Sequence, residues 1–257
     1  MKKKTIYYWS PYLTEIATSK AVINSAYSLK KYFQTYETVI IDSIGEFSNK
    51  YKEINEKKIS LFKLSKINYV PFLPKQGKIN SRISYLIIFI ASFFPLIKLL
   101  RKKKPDFLVI HLITSLPLIL FGLFNFKTKC ILRISGFPIM SKVRKTLWKI
   151  LLKKVYMVTC PTQGTYNYMQ SLKIVDNSKI KLLYDPVICI GDISKEDHLV
   201  KYENYAIAAG RFTKQKNFSF LINSFKTLVK KYTDFTLLII GNGEEKKKLQ
   251  SKINSLG

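Results

Sequence analysis

Cysteine is scarce in this 257-residue sequence, and its three copies, Cys130, Cys160 and Cys189, are odd in number and show no C-x-x-C spacing. That excludes a disulfide framework and offers no zinc site, and it agrees with a reducing cytoplasm. No metal site is expected. Acidic residues are also few, 16 against 44 lysines and arginines, and only Arg82, Arg101, Arg133, Arg144 and Arg211 are arginine. No secretory leader is expected: the basic start MKKKTIYYW runs straight into SPYLTEIATSK, with no apolar stretch of signal-peptide length.

What is present is hydrophobic content of 47% and a net charge of +28. Such a chain can bury a sizeable core, in one large or two modest domains. The charge points to phosphate-bearing partners, such as an anionic lipid or a nucleotide. The abundance of Lys with Ile, Asn, Tyr and Phe has a competing cause, since A/T-rich codons produce the same composition and leave a solvated lysine surface. Each arginine is then more informative, because its planar fork was not the routine cation. The lysines are dispersed and no nucleic-acid motif is found, so no nucleic acid is expected as a partner.

Two apolar stretches are weighed against the membrane. Ile83 to Ile97, ISYLIIFIASFFPLI, reads as a helix of about 15 residues, short of the roughly 20 that cross a bilayer. Flanked by Arg82 and KLLRKKK, it suits the headgroup plane of an anionic membrane. Phe107 to Phe126 is broken by His111, Pro117 and Gly122 and reads as a buried strand running into a short helix.

Strand-like runs at TIYYWS, ETVIID, ISLFKL, FLVIHL, CILRIS, YMVTCP and IKLLYDP alternate with segments of helical spacing, such as SKAVINSAYSLKKYF and KVRKTLWKILLKK. That pattern predicts βαβ units and a doubly wound parallel sheet. Ser19 is expected to cap the first helix. After YDPVICI the composition turns polar, which sets domains at 1–195 and 203–257, the second reading strand, helix, strand, helix.

The strand of the second segment ends in AIAAGRFTKQKNFSF, Ala206 to Phe220. Gly210 lets the backbone turn, Arg211 offers a forked donor, and Lys216 adds a point charge where a helix starts. The group suits a diphosphate; a turn with exposed cations is the plainer alternative. IIGNGEE, carrying Gly241 and Gly243, supplies a second glycine loop before a helix.

The run from strand through Gly-Arg and Lys-Gln-Lys-Asn to a strand ending Gly-x-Gly resembles the donor domain of group 1, family 4 glycosyltransferases. The resemblance implies the GT-B fold: α/β, two Rossmann-like doubly wound domains, here with the second incomplete. It implies that Arg211 and Lys216 bind the diphosphate of a nucleotide sugar, with Gly210, Gly241 and Gly243 in the nucleotide loops, retention of configuration and no cofactor. The acceptor side looks like KKPDFLVIHLITSLPLILF, ILRISGFP, CPTQGT and LLYDPV, which would place Thr14, Arg133, Ser135 and Gly136 near the acceptor, with Arg133 against a phosphate. His111 is the candidate catalytic side chain, against the plainer role of a satisfied core histidine.

Two departures stand out. No glycine-rich loop follows the first strand, and Ser135 stands where many members carry histidine. The family's Glu-x7-Glu motif is missing, Glu244 and Glu245 having the wrong spacing, so the chain reads as an acceptor domain joined to about the first third of a donor domain. Family members of this type build bacterial surface polysaccharides such as capsule and lipopolysaccharide. The expected partners are a nucleotide-sugar donor and a glycan or polyprenyl-diphosphate acceptor, at the inner face of the plasma membrane. The other reading is an inactive remnant or half-enzyme that binds acceptor or a second chain supplying the rest of the donor domain.

Overall fold

A computed structural model describes residues 3–13, 17–74, 78–188 and 202–256. The chain divides into two compact units, 1–193 and 194–257. In the first, strands β1 (Lys4–Trp9), β2 (Tyr36–Asp42), β3 (Ser60–Lys63), β4 (Phe107–Ile110), β5 (Lys129–Arg133), β6 (Met157–Cys160) and β7 (Ile180–Leu182) form one sheet. Its order is β3-β2-β1-β4-β5-β6-β7 and every pairing is parallel.

The short apolar strand runs follow from burial on both sheet faces. Ile6, Tyr8 and Ile40 join one core, with Val22, Ile23 and Ala26 of helix α1 (Ala17–Tyr32) and Ile54 of α2 (Tyr51–Glu56). Their neighbours Tyr7, Trp9, Val39 and Ile41, with Leu108 and Ile110, join the other. That core takes in residues of α3 (Lys78–Lys103), α4 (Ser115–Leu123), α5 (Lys142–Leu151) and α6 (Gln163–Ser171). Two helices therefore lie on one face and four on the other.

This arrangement fixes where a ligand can sit. The chain walks outward from β1 to β3, then returns to place β4 on the other side of β1. At that reversal the loops leave in opposite directions, and the crevice outside the carboxyl ends of the strands opens.

The helices differ from expectation at two points. Ser19 does not cap α1: it is buried within a helix that already includes Ala17. The apolar run at Ile83 is part of a 26-residue helix, α3, so it is long and apolar enough to cross a bilayer, where the expected length fell short. The run extends because Lys98, Arg101 and their neighbours lie on its exposed side while Leu96, Leu99 and Leu100 continue the buried one. The second apolar stretch, Phe107 to Phe126, is strand β4 followed by α4, as its sequence implies.

The second unit pairs β8 (Tyr205–Ala209) with β9 (Thr236–Ile240) in parallel, each followed by a helix, α7 (Phe218–Val229) and α8 (Lys246–Leu256). Its buried core is small: Phe212, Phe218, Ile222 and Leu249.

Candidate functional site

In the first unit the carboxyl ends of β1 and β4 meet at the reversal, where the His111 amide donates to the Trp9 carbonyl at 2.9 Å. His111 is 5% exposed, and neither ring nitrogen has a hydrogen-bond partner among the described residues. Ser10 and Ser43, which follow β1 and β2, also carry buried hydroxyls without a partner among the described residues. Unpartnered buried polar groups are costly, and three lie along one sheet edge.

Two residues beyond His111 the backbone is strained. Ile113 has φ 46°, a region that β-branched residues avoid. The Trp9 indole holds that turn by donating Nε1–H to the Ile113 carbonyl at 3.2 Å. The loop after β4 is thus fixed by a side chain of β1.

His111 lines a cavity of about 320 Å³ with Thr114, Arg133, Ser135, Gly136, Phe137, Arg144 and Trp148. Burial, aided by the Arg133 charge, lowers its pKa from 6.5 to about 3. The ring is therefore neutral at physiological pH, a hydrogen-bond partner for a hydroxyl and a weak base.

The other acceptor-side candidates divide. Ser135 and Gly136 line the cavity and are exposed. An added Cβ at Gly136 would meet nothing within 4 Å, so the protein's own packing does not require glycine there. Arg133 also lines the cavity, but its guanidinium is largely engaged: Nε donates to Asp185 at 2.6 Å and Nη2 to the Leu183 carbonyl at 2.8 Å. It ties β5 to the chain beyond β7. Thr14 lies outside the described residues.

Residues not singled out from the sequence as site candidates lie at the same sheet edge. Arg144 reaches the cavity from the first turn of α5, stacked over Trp148 at 4.8 Å with Nη1 donating to the Ile139 carbonyl at 3.0 Å. Beyond β2, Glu46 accepts from the Ser43 and Ile44 amides at 3.0 and 2.8 Å, while Asp42 accepts from the Gly45 amide at 3.0 Å and the Tyr51 hydroxyl at 2.6 Å. Burial first, then the Asp42 charge, raises the Glu46 pKa from 4.5 to about 8. The only sequence signal for this turn was a pair of carboxylates four residues apart.

In the second unit, Arg211 and Lys216 lie on the loop between β8 and α7, and both are exposed. Neither side chain has an ion pair or hydrogen-bond partner among the described residues. The Lys216 stem runs beside Gly210, where an added Cβ would lie 3.9 Å from its Cδ. Asn217, at φ 49°, turns the chain into α7, and the buried Thr213 hydroxyl in the same loop has no partner among the described residues. Two free cations and a helix N-terminus make this loop competent for an anion.

Gly241 and Gly243 have a cause of their own. A Cβ at Gly241 would lie 1.9 Å from the Gly210 carbonyl oxygen, and one at Gly243 would lie 2.5 Å from the Phe212 oxygen. The two loops press backbone to backbone, joined by the Phe212 amide donating to Asn242 at 2.9 Å.

Residues 191–257 match the family of group 1 glycosyl transferases. An uncharacterized glycosyltransferase of Methanocaldococcus jannaschii is 30% identical over 186 residues, covering 63% of this chain and 46% of that protein. The amylovoran biosynthesis glycosyltransferase AmsD of Erwinia amylovora is 28% identical over 191 residues, covering 71% and 53%. The chain thus spans about half the length of these curated relatives. A glycosyltransferase structure from Rickettsia africae shares the fold, with a TM-score of 0.66 at 16% identity over 100% of this chain and 65% of that one. The family match in residues 191–257, the two relatives and the shared GT-B fold make this chain similar to the group 1 glycosyltransferases.

Proposed function

We propose that the protein transfers a sugar from a nucleotide diphosphate donor to a glycan or lipid-linked acceptor in the synthesis of bacterial surface polysaccharide. The observation that carries this reading is the β8–α7 loop: Arg211 and Lys216, both exposed and unpartnered, lie beside a helix N-terminus in the segment that matches the family. In the reaction the bond from the sugar C1 to the diphosphate breaks, the acceptor oxygen bonds to C1 in its place, and the proton of the acceptor hydroxyl leaves with the diphosphate. Negative charge collects on the departing diphosphate, where a guanidinium and an ammonium oppose it without a metal. Retention of configuration and family 4 membership belong to this proposal through the resemblance. The His111 cavity takes the acceptor, the neutral imidazole orienting a hydroxyl.

The exposed apolar side chains of α3 support a peripheral site at the inner face of the plasma membrane. Leu86, Ile90 and Phe94 are bare, with Lys98 and Arg101 beyond them. The buried side of the same helix packs on the sheet, which a helix surrounded by lipid could not do.

Calorimetry with UDP, GDP and their hexose conjugates tests the donor half. Binding by the chain should be lost in an Arg211→Ala, Lys216→Ala double variant; equal binding by both would remove the clamp.

One observation favours the half-enzyme reading. The second unit leaves an apolar groove of about 550 Å³, lined by Ile222, Phe225 and Val229 of α7, Leu237 and Ile239 of β9, and Ile253 of α8. Further polypeptide packed there would enlarge the core. On this reading, donor binding appears only when further polypeptide that covers this groove is supplied.

A further inference from the structure

We propose that helix α5 docks the protein on an anionic lipid bilayer, with the membrane surface beside the His111 cavity. The inference deepens the reading above, but its observations and its test need no sugar transfer.

Of the residues of α5, only Trp148 is fully buried. Its outer side exposes Val143 at 70%, Leu147 at 52% and Ile150 at 59%, after Ile139 at 86% in the loop before it. Spacings of four and three residues put Val143, Leu147 and Ile150 on one stripe of the helix surface. Beside the stripe stand the exposed cations Lys142, Arg144, Lys145 and Lys149.

Carboxylates are missing from the helices on this sheet face; Asp176, outside them, shares a pocket with Lys149 at the end of α5. Between Glu56 and Asp176 the single acidic residue is Asp106, so α3, α4, α5 and α6, the whole helix layer on that sheet face, carry none. A helix that faces only water carries polar groups on its outer side, commonly charges of both signs that pair along it. Bare aliphatic side chains among unpaired cations are the composition of an interfacial helix, whose apolar side enters the acyl boundary while its lysines meet anionic headgroups. At ten residues α5 is about 15 Å long, too short to span.

Charge complementarity selects the occupant. Within the same layer, α3 repeats the composition, bare apolar side chains with cations and no anion. Two separate elements of one sheet face thus meet the needs of one extended anionic apolar surface. The loop that leads into α5 and its first residues also wall the cavity, through Phe137, Ile139 and Arg144. A docked α5 therefore holds that cavity at headgroup level, where a lipid-linked acceptor would present its polar end.

Flotation of the full chain with vesicles of phosphatidylcholine and phosphatidylglycerol tests this, with phosphatidylcholine vesicles as control and circular dichroism to check folding. The chain should float with the anionic vesicles and detach as salt is raised. Leu147→Ser with Ile150→Ser should lower partitioning about tenfold or more, since both side chains are exposed in the free protein and buried in lipid. Lys145→Gln with Lys149→Gln should lower it by at least about tenfold. No binding to anionic vesicles, or binding by both variants equal to that of the parent chain, overturns the proposal. So does loss of binding with Ile90→Ser and Phe94→Ser alone, which would assign the contact to α3. A dimer that the Leu147 and Ile150 changes convert to monomer, with flotation unaltered, would make a second copy the occupant. Random RNA binding lost in the lysine variant, with flotation unaltered, would assign the cations to nucleic acid. Nucleotide calorimetry run in parallel separates any of these results from a failure of the donor site.

Discussion

At the scale of single residues, glycines with different surroundings make opposite predictions. Gly241→Ala would drive a methyl into the Gly210 carbonyl, 1.9 Å away, and should destabilise the second unit by about 3 kcal/mol in denaturant unfolding. Gly136→Ala enters open space, so stability should change by no more than about 0.5 kcal/mol while acceptor use falls in a transfer assay. Equal activity would show that no acceptor approaches that backbone. The titrating groups give a second contrast. His111 is neutral when folded down to about pH 3 but takes a proton below 6.5 when unfolded, so its contribution to stability is lost as pH falls from 6.5 to 3. Glu46 runs the other way: its folded value of about 8 lies above 4.5, so its contribution is complete below 4.5 and disappears as pH rises through 8. Thermal melts from pH 6.5 to 9, above the range in which His111 contributes, should decline for the parent chain and flatten for Glu46→Gln; an unaltered slope would mean that another group titrates.

At the scale of elements, the connection from β5 to the chain after β7 rests on one buried side chain. Arg133, 6% exposed, pairs with Asp185 at 2.5 Å across 52 residues of sequence. Removing the carboxylate leaves an uncompensated charge, so Asp185→Ala should cost about 3 kcal/mol, measured by urea unfolding. A loss near zero would mean that water already screens the pair. The sequence showed an arginine near a sheet edge but not that a distant aspartate takes its fork, because that depends on β5, β6 and β7 lying side by side. Helix α3 has a similar lesson. Its apolar run was visible, yet its length was underestimated, since lysines that end a run on paper continue a helix when they fall on its solvent side.

At the scale of the whole molecule, a charge of +28 on 257 residues makes self-repulsion a general term. The melting temperature should rise between low and moderate sodium chloride as like charges are screened; a fall would mean that favourable pairs dominate. Read alone, the sequence determined the α/β class, most strands and helices and the β8–α7 loop, because periodicity and turn residues act over a few neighbours, while the family entered as a resemblance of motifs. Tertiary structure decided the rest. Strand order placed His111 beside Trp9 at the reversal, and burial there removed its charge. Close approach of two loops explained Gly241 and Gly243, and helix packing left the α5 stripe bare beside the cavity. Each of these depends on which distant segments meet, and that is set by how the crossovers stack their helices on a sheet, an arrangement no local spacing records.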